Sequence, residues 1–250
     1  MLYNDMSVIP PVIAHRGISA SAPENTMIAF AKAKAYGLRW IEFDVTIASC
    51  GTVVVMHDDE LERTTNGVGK ITDVTFDYLS TLDAGSWFAP EFSGIKIPTL
   101  KDVLLFLNQN QMAANIEIKS YPGKEAWFVS KVLEDIKQHA DHKTPLLITS
   151  FSKTILKDVR TQNLNIPVGF LMAEWDESYN NFCDEISATH ISIDHTLLSP
   201  DRIKQLKSTG RSVFAYTVND VARAKELFFF GVDAIFSDCP QAILFGLELV

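Results

Sequence analysis

The segment IAHRG, residues 13–17, begins the structural unit on which the predicted fold of this 250-residue chain is based. It is an apolar run that stops at His15, Arg16 and Gly17, and the segment PENT, residues 23–26, follows. Apolar residues then recur at positions 27, 30, 31 and 35, which is the spacing of a helix that packs on a core. We therefore expect a short buried strand, a polar loop and a helix. A histidine beside a guanidinium at a strand end suits phosphate, whose oxygens match the guanidinium fork.

The same strand–helix unit recurs along the chain. Segments with strand character are short, rich in Val, Ile and Phe and bounded by turn residues, and they cover 12–15, 39–46, 52–56, 113–118, 145–149, 167–171, 190–194, 212–217 and 233–237. Helices are predicted near 26–36, 99–110, 124–139, 152–162, 176–184, 200–209, 220–230 and 240–247. Such alternation implies parallel strands joined by right-handed crossovers. Because eight of these nine strands can be paired with a following helix, the pattern favours a closed α/β barrel over an open doubly wound sheet.

Residues 58–99 interrupt this rhythm with turn signals and few periodic runs. A loop of this length is usually functional or a small subdomain. Within a single domain, 1–250, we predict that 58–99 is a small insertion near the mouth of the site, partly because it carries Trp87, Phe88 and Phe92. The alternative is a surface elaboration that only stabilises the fold.

Composition excludes several classes of partner. The chain has 22 basic and 31 acidic residues, a net charge of −9 and no long basic run, which argues against nucleic acid and anionic membrane surfaces. Its three cysteines are widely spaced, as in a protein with reduced thiols and no zinc site. The sequence shows no signal-peptide pattern and no apolar run of membrane-spanning length. These features predict a cytoplasmic globular protein without stable membrane insertion.

Residues that carry chemistry collect at the ends of the early predicted strands: His15, Arg16, Glu42, Asp44, His57, Glu117 and Lys119. Barrel enzymes place their active sites at the C-terminal ends of strands. Residues two apart on a strand share a face, so Glu42 with Asp44 and Glu117 with Lys119 are expected to point into the barrel. Three carboxylates without cysteine or histidine ligands suit one hard divalent cation, Mg²⁺ or Ca²⁺. The alternative is that Glu42 and Asp44 form buried salt bridges with Arg16 and Lys119.

A divalent cation beside Arg16 could neutralise a phosphodiester. One of His15 and His57 could take a proton from the nucleophile while the other protonates the departing alkoxide, and the sequence does not assign these two roles. The remaining histidines are predicted to be solvated or structural: His139, His142, His190 and His195.

The order of these motifs closely resembles the glycerophosphodiester phosphodiesterase family, particularly its compact bacterial cytosolic members. The resemblance rests on HRGISASAPENT at 15–26, EFDV at 42–45, HDDELERTTNGVG at 57–69, NIEIK at 115–119 and GVDAIFSDCP at 231–240. Several motifs in the family's order make the match far more specific than any one of them. It implies a TIM barrel with a small inserted subdomain. It also implies hydrolysis of small glycerophosphodiesters, such as glycerophosphocholine or glycerophosphoethanolamine, to sn-glycerol 3-phosphate and an alcohol.

The resemblance also implies roles for individual residues. By position, His15 and His57 are the acid–base pair, Arg16 and Lys119 lie at the phosphate, and the metal ligands are Glu42, Asp44 and Glu117. Phe151 and Tyr216, near two later strand ends, are candidate substrate-binding walls, although core packing is an equal alternative. Family members usually have Trp-Thr-Val-Asn where this chain has YTVN at 216–219, and the smaller ring of Tyr216 could alter the fit to glycerol.

Two rival functions stay open at this level. The aromatic residues of the insertion suggest a related phosphodiesterase that acts on lysophospholipids, and a barrel can also bind glycerophosphodiesters without catalysis. The attacking group, either the 2-hydroxyl of glycerol or water, is equally open. The sequence does not fix the headgroup, the physiological metal or the oligomeric state.

Overall fold

The computed structural model describes residues 9–163 and 165–249. Within these ranges the strands form one sheet: β1 Val12–Ala14, β2 Trp40–Ile47, β3 Val53–Val55, β4 Ala113–Ile118, β5 Leu146–Ser150, β6 Val168–Met172, β7 His190–Asp194, β8 Ser212–Tyr216 and β9 Ala234–Ser237. Their order is β1-β9-β8-β7-β6-β5-β4-β2-β3, and β1 also pairs with β2. The parallel strands at the two ends of this order, β1 and β2, therefore pair with each other, and the sheet closes.

The closed part of the sheet is a barrel of eight parallel strands, since every neighbouring pair except β2–β3 is parallel. The predicted TIM barrel is confirmed. The segment predicted as a strand at 52–56 is not part of the wall, because β3 runs antiparallel to β2, with Val55 opposite Val45.

Helices connect the strands: α1 Met27–Ala35, α2 Phe76–Thr81, α3 Leu100–Asn110, α4 Glu125–His139, α5 Lys153–Gln162, α6 Tyr179–Glu185, α7 Pro200–Lys207, α8 Val221–Phe229 and α9 Pro240–Gly246. Several begin at polar caps. Thr26 accepts a hydrogen bond from the backbone of Ala29 at α1, and Thr99 and Asp102 form a reciprocal capping box at α3, which satisfies otherwise orphaned N–H groups. In the described part of the chain, none of the helices has the length and apolarity needed to cross a bilayer.

Residues 58–99 contain α2 and two short 3₁₀ helices, Ile71–Asp73 and Pro90–Phe92. Their buried apolar side chains form a cluster separate from the main core, together with residues around β3: Ala48, Val54, Met56, Leu61, Ile71, Leu79, Leu82, Ala84 and Ile97. Asp83 organises the second half of the segment by accepting backbone hydrogen bonds from Gly85, Ser86 and Gly94. The segment thus has a small core of its own beside β3.

A small apolar cluster fills the inside of the barrel: Ile13, Trp40, Ala113, Leu147, Phe214, Ala234 and Phe236. The positions two residues further along β1, β2 and β4 are polar, namely His15, Glu42 and Asn115. Alternate residues of a strand share one face, so the apolar layer closes the barrel floor and the polar residues lie above it. This ordering puts the chemistry at the C-terminal ends of the strands, as in other barrels of this type.

Candidate active site

A cavity of about 310 Å³ opens at the C-terminal end of the barrel. Seven of the nine predicted site residues line it: His15, Arg16, Glu42, His57, Glu117, Phe151 and Tyr216. The other two are close by, since Lys119 contacts Asp44 and Glu117, and Asp44 is buried beside them. The structure therefore brings all nine into one region, although their roles stay predictions. The remaining wall residues are Asn115, Leu171, Asp194, Thr217 and Phe236.

The three predicted metal ligands converge. Glu42, Asp44 and Glu117 each offer a carboxylate oxygen, and these oxygens lie within 4.8 Å of one another. The register explains this, because Asp44 lies opposite Glu117 across β2 and β4 and Glu42 is two residues earlier on the same face. Burial, followed by repulsion from neighbouring carboxylates, raises the pKa of Glu42 well above its ordinary value and that of Glu117 to about 7. Converging, buried carboxylates that resist ionisation in this way are suited to a divalent cation, whose charge would favour their ionised form.

Two cations partly neutralise the same acids. The Nε atom of Arg16 lies 3.3 Å from Asp44 Oδ2, and Lys119 Nζ lies 2.8 Å from Glu117 Oε1 and 3.4 Å from Asp44 Oδ1. Burial opposes the ionisation of Asp44, but Arg16 and Lys119 outweigh it and lower its pKa. Asp44 and Glu117 therefore fit both sequence-based interpretations, because they converge as ligands do and also pair with these cations. Glu42 converges with them, but the contact that it makes with Arg16 is through the backbone N–H.

The loop after β1 holds Arg16 in an unusual backbone conformation. Its φ is +54°, a value that few non-glycine residues adopt, and its backbone N–H donates to Glu42 Oε2 at 2.9 Å. Gly17 follows with φ +83°, and a Cβ atom there would lie 2.7 Å from the Cβ of Ala29. Only glycine lets the loop pack this closely on α1, so the glycine of the opening motif fixes the direction of the arginine.

His15 forms a close pair with an aspartate that sequence reasoning missed. Its Nδ1 atom lies 2.6 Å from Asp238 Oδ1, and its Nε2 atom lies 3.9 Å from Glu42 Oε2. Burial opposes the ionisation of Asp238, but hydrogen bonds from His15, Asn219 and Ser19 outweigh it and lower its pKa to about 2. Asp238 directly follows β9, the neighbour of β1. The signal that points to it in the sequence is its place at the end of the last predicted strand.

His57 starts a chain of polar contacts that ends at Arg16. Its Nδ1 atom lies 2.6 Å from Asp58 Oδ1, and Arg63 Nε donates to Asp58 Oδ2 at 2.5 Å. Arg63 also donates two hydrogen bonds of 2.8 Å to Glu24, which accepts a third from Arg16 at 2.7 Å. Glu24 belongs to the PENT motif and Asp58 follows His57 directly, so both were visible in the sequence but not assigned a role.

The route by which His57 reaches the cavity differs from the one expected. The sequence suggested that it ends a strand like the other site residues. Instead, antiparallel β3 runs back along β2, and the N–H of Met56 donates to the carbonyl of Asp44 at 3.0 Å. This brings His57 beside the carboxylates. Burial, together with the positive charges of Arg16 and Lys119, outweighs the charge of Asp44 and lowers the pKa of His57, which favours the neutral ring.

The aromatic side chains fall into two separate groups. Phe151 and Tyr216 meet edge to face with ring centroids 5.8 Å apart and line the cavity, and the Tyr216 hydroxyl donates to the carbonyl of Met172. Trp87, Phe88 and Phe92 pack on one another and do not belong to the wall of this cavity. The structure therefore gives no support to an apolar acyl-chain site formed by the insertion.

Comparison with known proteins identifies the family. Residues 15–242 match the glycerophosphoryl diester phosphodiesterase family. This chain belongs to that family. A glycerophosphodiester phosphodiesterase of Caldanaerobacter subterraneus subsp. tengcongensis is 32% identical over 246 residues, which cover 93% of this chain and 96% of that protein. One of Bacillus subtilis is 34% identical over 251 residues, which cover 92% and 83%.

Solved structures agree with this assignment. An Oleispira antarctica phosphodiesterase, solved in complex with the product sn-glycerol-3-phosphate, superposes with a TM-score of 0.94 at 34% identity and covers 97% of this chain and 98% of its own. The prediction that this member of the glycerophosphoryl diester phosphodiesterase family is an enzyme, a phosphodiesterase, is confirmed. The alternative of a barrel that only binds is set aside.

Proposed function

We propose that this phosphodiesterase hydrolyses small glycerophosphodiesters, such as glycerophosphocholine or glycerophosphoethanolamine, to sn-glycerol 3-phosphate and an alcohol. The observation that carries this proposal is one cavity lined by two histidines, one arginine, Glu42 and Glu117, with Asp44 completing the carboxylate cluster beside it. The Oleispira relative, which holds sn-glycerol-3-phosphate as its product, supports the same substrate class. A cytoplasmic location suits these substrates and is part of the proposal.

One divalent cation, Mg²⁺ or Ca²⁺, belongs to this proposal. Glu42, Asp44 and Glu117 fit it, because they are oxygen donors whose ligand atoms lie within 4.8 Å of one another and because hard cations prefer carboxylates. A bound cation would neutralise charge on the phosphoryl oxygens. Arg16 and Lys119 lie at the edge of the same cluster, where a guanidinium and an ammonium can bind the remaining phosphate oxygens.

The two histidines supply proton transfer. The lowered pKa of His57 favours its neutral ring, and a neutral imidazole can accept the proton of the attacking hydroxyl. His15 is fixed through Nδ1 by Asp238, which leaves Nε2 to protonate the departing alkoxide. The oxygen of the attacking hydroxyl forms a bond to phosphorus, the bond between phosphorus and the alcohol oxygen breaks, and the alcohol leaves with that oxygen protonated.

Release of glycerol 3-phosphate tests this function directly. Purified protein should release it from glycerophosphocholine, lose that activity with a chelator and regain it with Mg²⁺ or Ca²⁺. His15→Ala and His57→Ala should each lower kcat by about 10²–10⁴-fold, whereas His142→Ala, an exposed histidine, should retain wild-type turnover. Full activity in the chelator would remove the cation from the mechanism, and wild-type turnover in either site variant would reject that histidine.

The attacking group can be identified with a substrate whose glycerol lacks the 2-hydroxyl. If that hydroxyl attacks first, the altered substrate is inert and the natural one gives a cyclic glycerophosphate intermediate. If water attacks directly, both substrates are hydrolysed and no cyclic intermediate forms.

A further inference from the structure

A second cavity, which we call the side cavity, adjoins the catalytic one. Its volume is about 220 Å³, and it shares Glu117 and Phe151 with the catalytic cavity. Asp59, Lys119 and Ser152 lie in the part of its wall that the catalytic cavity does not share. The two spaces therefore meet at one of the predicted metal ligands.

The position of this junction matters because a phosphodiester carries two ester arms that diverge from phosphorus. The proposed function, on which this inference rests, puts phosphorus at the carboxylate cluster, and Glu117 of that cluster belongs to both cavities. The catalytic cavity has polar groups suited to the hydroxyls of glycerol, among them Asp194 and Thr217. The side cavity is then the space available to the other arm.

We propose that the side cavity binds the alcohol leaving group and that Asp59 and Phe151 make it selective for a cationic alcohol, one with a quaternary or primary ammonium. The Asp59 side chain is exposed and takes part in none of the hydrogen bonds or ion pairs among the described residues, whereas the neighbouring Asp58 is bound by both His57 and Arg63. The carboxylate of Asp59 is thus available to a ligand.

Phe151 adds the second attraction. Its side chain is 43% exposed and forms part of both cavity walls, and the face of an aromatic ring attracts ammonium groups. Among the described residues of the side-cavity wall, Lys119 is the cation. It is paired with Glu117 and Asp44, so its charge is largely compensated on the phosphate side. The carboxylate of Asp59 and the ring of Phe151 therefore favour a positively charged headgroup over a neutral one.

Asp59→Asn tests this selectivity when two substrates are compared. Glycerophosphocholine and glycerophosphoglycerol carry the same phosphodiester charge, but only the first has a cationic alcohol. The ratio of their kcat/KM values should fall by about 2- to 5-fold in the variant, the range expected for an exposed charge pair, and less at high salt because ions screen it. Glu60→Gln is the matched control, because the substitution removes the same charge from the neighbouring residue. Glu60 is exposed and is not among the residues that line either cavity.

Phe151→Leu provides an independent test, because it keeps an apolar side chain and removes the aromatic ring. The ratio of kcat/KM for glycerophosphocholine to that for glycerophosphoglycerol should again fall by about 2- to 5-fold. A wild-type protein that hydrolyses neither substrate would overturn the proposed function itself. A wild-type protein that hydrolyses both, with a ratio unchanged in folded Asp59→Asn, would overturn the side-cavity proposal alone, as would an equal change in Glu60→Gln.

Discussion

At the scale of single residues, both candidate catalytic histidines are held in the same way. Asp238 accepts from Nδ1 of His15 and Asp58 from Nδ1 of His57. A carboxylate at one ring nitrogen fixes the ring and leaves the other nitrogen to exchange protons. The two aspartates come from distant parts of the chain, so the arrangement arises separately at each histidine.

Asp238→Asn should therefore impair chemistry more than binding. The amide keeps the shape of the side chain but no longer fixes His15 by charge, so we expect kcat to fall about 10- to 100-fold, less than on losing the imidazole, with KM nearly unchanged. Steady-state kinetics with glycerophosphocholine measures both. Asp201→Asn, in the exposed first turn of α7, is the control, and a wild-type kcat in Asp238→Asn would contradict the positioning role.

His190 is a buried histidine outside the candidate active site, and its environment is that of a structural residue. It lies buried at the start of β7 against Phe214, with Nδ1 2.6 Å from Thr189 Oγ1. Burial lowers its pKa from 6.5 to about 4. Between these values the unfolded chain binds a proton that the folded one does not, so stability is lost as the pH falls. This agrees with the structural role predicted for it.

His190→Leu should remove that acid sensitivity. Between pH 6.5 and pH 4 the wild type should lose about 2–3 kcal/mol of unfolding free energy through this residue, and the variant should lose correspondingly less over the same interval. Urea unfolding at several pH values gives the slope, whatever the absolute stability of the variant. His142→Leu, at an exposed site, should keep the wild-type slope, and an unchanged slope in His190→Leu would show that His190 is protonated in the folded protein.

At the scale of elements, the loop between β1 and α1 is joined to the segment 58–99 by one arginine. Arg63 binds Asp58 on its own segment and Glu24 on the loop, and Glu24 also binds Arg16. The guanidinium fork thus connects the candidate base, His57, with the candidate phosphate ligand. A bidentate pair of this kind gives geometry that a lysine cannot reproduce.

Arg63→Gln should loosen this connection without unfolding the barrel. We expect kcat/KM to fall about 10-fold, since Arg16 and His57 lose their shared support, and amide hydrogen exchange within 58–99 to accelerate. Lys70→Gln, an exposed cation of the same segment, is the control. Unchanged exchange in Arg63→Gln would mean that the apolar cluster of the segment holds it in place unaided.

The sequence predicted those parts of the site that follow from strand periodicity. Residues two apart on β2 and β4 share a face whatever the rest of the chain does, so Glu42, Asp44 and Glu117 could be grouped in advance. Strand periodicity alone does not join Asp238 to His15, because 223 positions separate them. That pair follows from the strand-end position of Asp238 together with the barrel closure that sets β1 beside β9. The direction of β3 was equally hidden, since strand periodicity is the same in parallel and antiparallel pairs.

At the scale of the whole molecule, the carboxylate cluster needed for the proposed function lowers the stability of the fold. The acids are buried at the end of the barrel, and two of them have a raised pKa in the absence of a cation. A carboxyl whose pKa is higher in the folded than in the unfolded chain costs stability as the pH rises above its ordinary pKa. The site that would bind the cation is therefore a source of instability until the cation is bound.

Glu42→Gln tests this balance, because the amide oxygen can still accept from the Arg16 backbone while the charge is lost. In a chelator at pH 8 the variant should melt about 2–4 °C above the wild type, the shift that about 1 kcal/mol produces in a chain of this size. The difference should shrink toward pH 5, since the pKa of Glu42 lies well above its ordinary value of 4.5. Glu91→Gln, an exposed carboxylate, should match the wild type.

Adding Mg²⁺ or Ca²⁺ should reverse the order of the two melting temperatures. A ligand present at 100 times its Kd stabilises the folded state by about 2.7 kcal/mol, which corresponds to ~5–11 °C for the wild type, whereas Glu42→Gln has lost one of its three converging ligands and should gain far less. Melting curves with chelator and with each cation measure both effects. A variant that gains as much from the cation as the wild type would show that Glu42 is not a metal ligand. A variant that is less stable than the wild type in the chelator would show that the Glu42 carboxylate stabilises the fold without the cation.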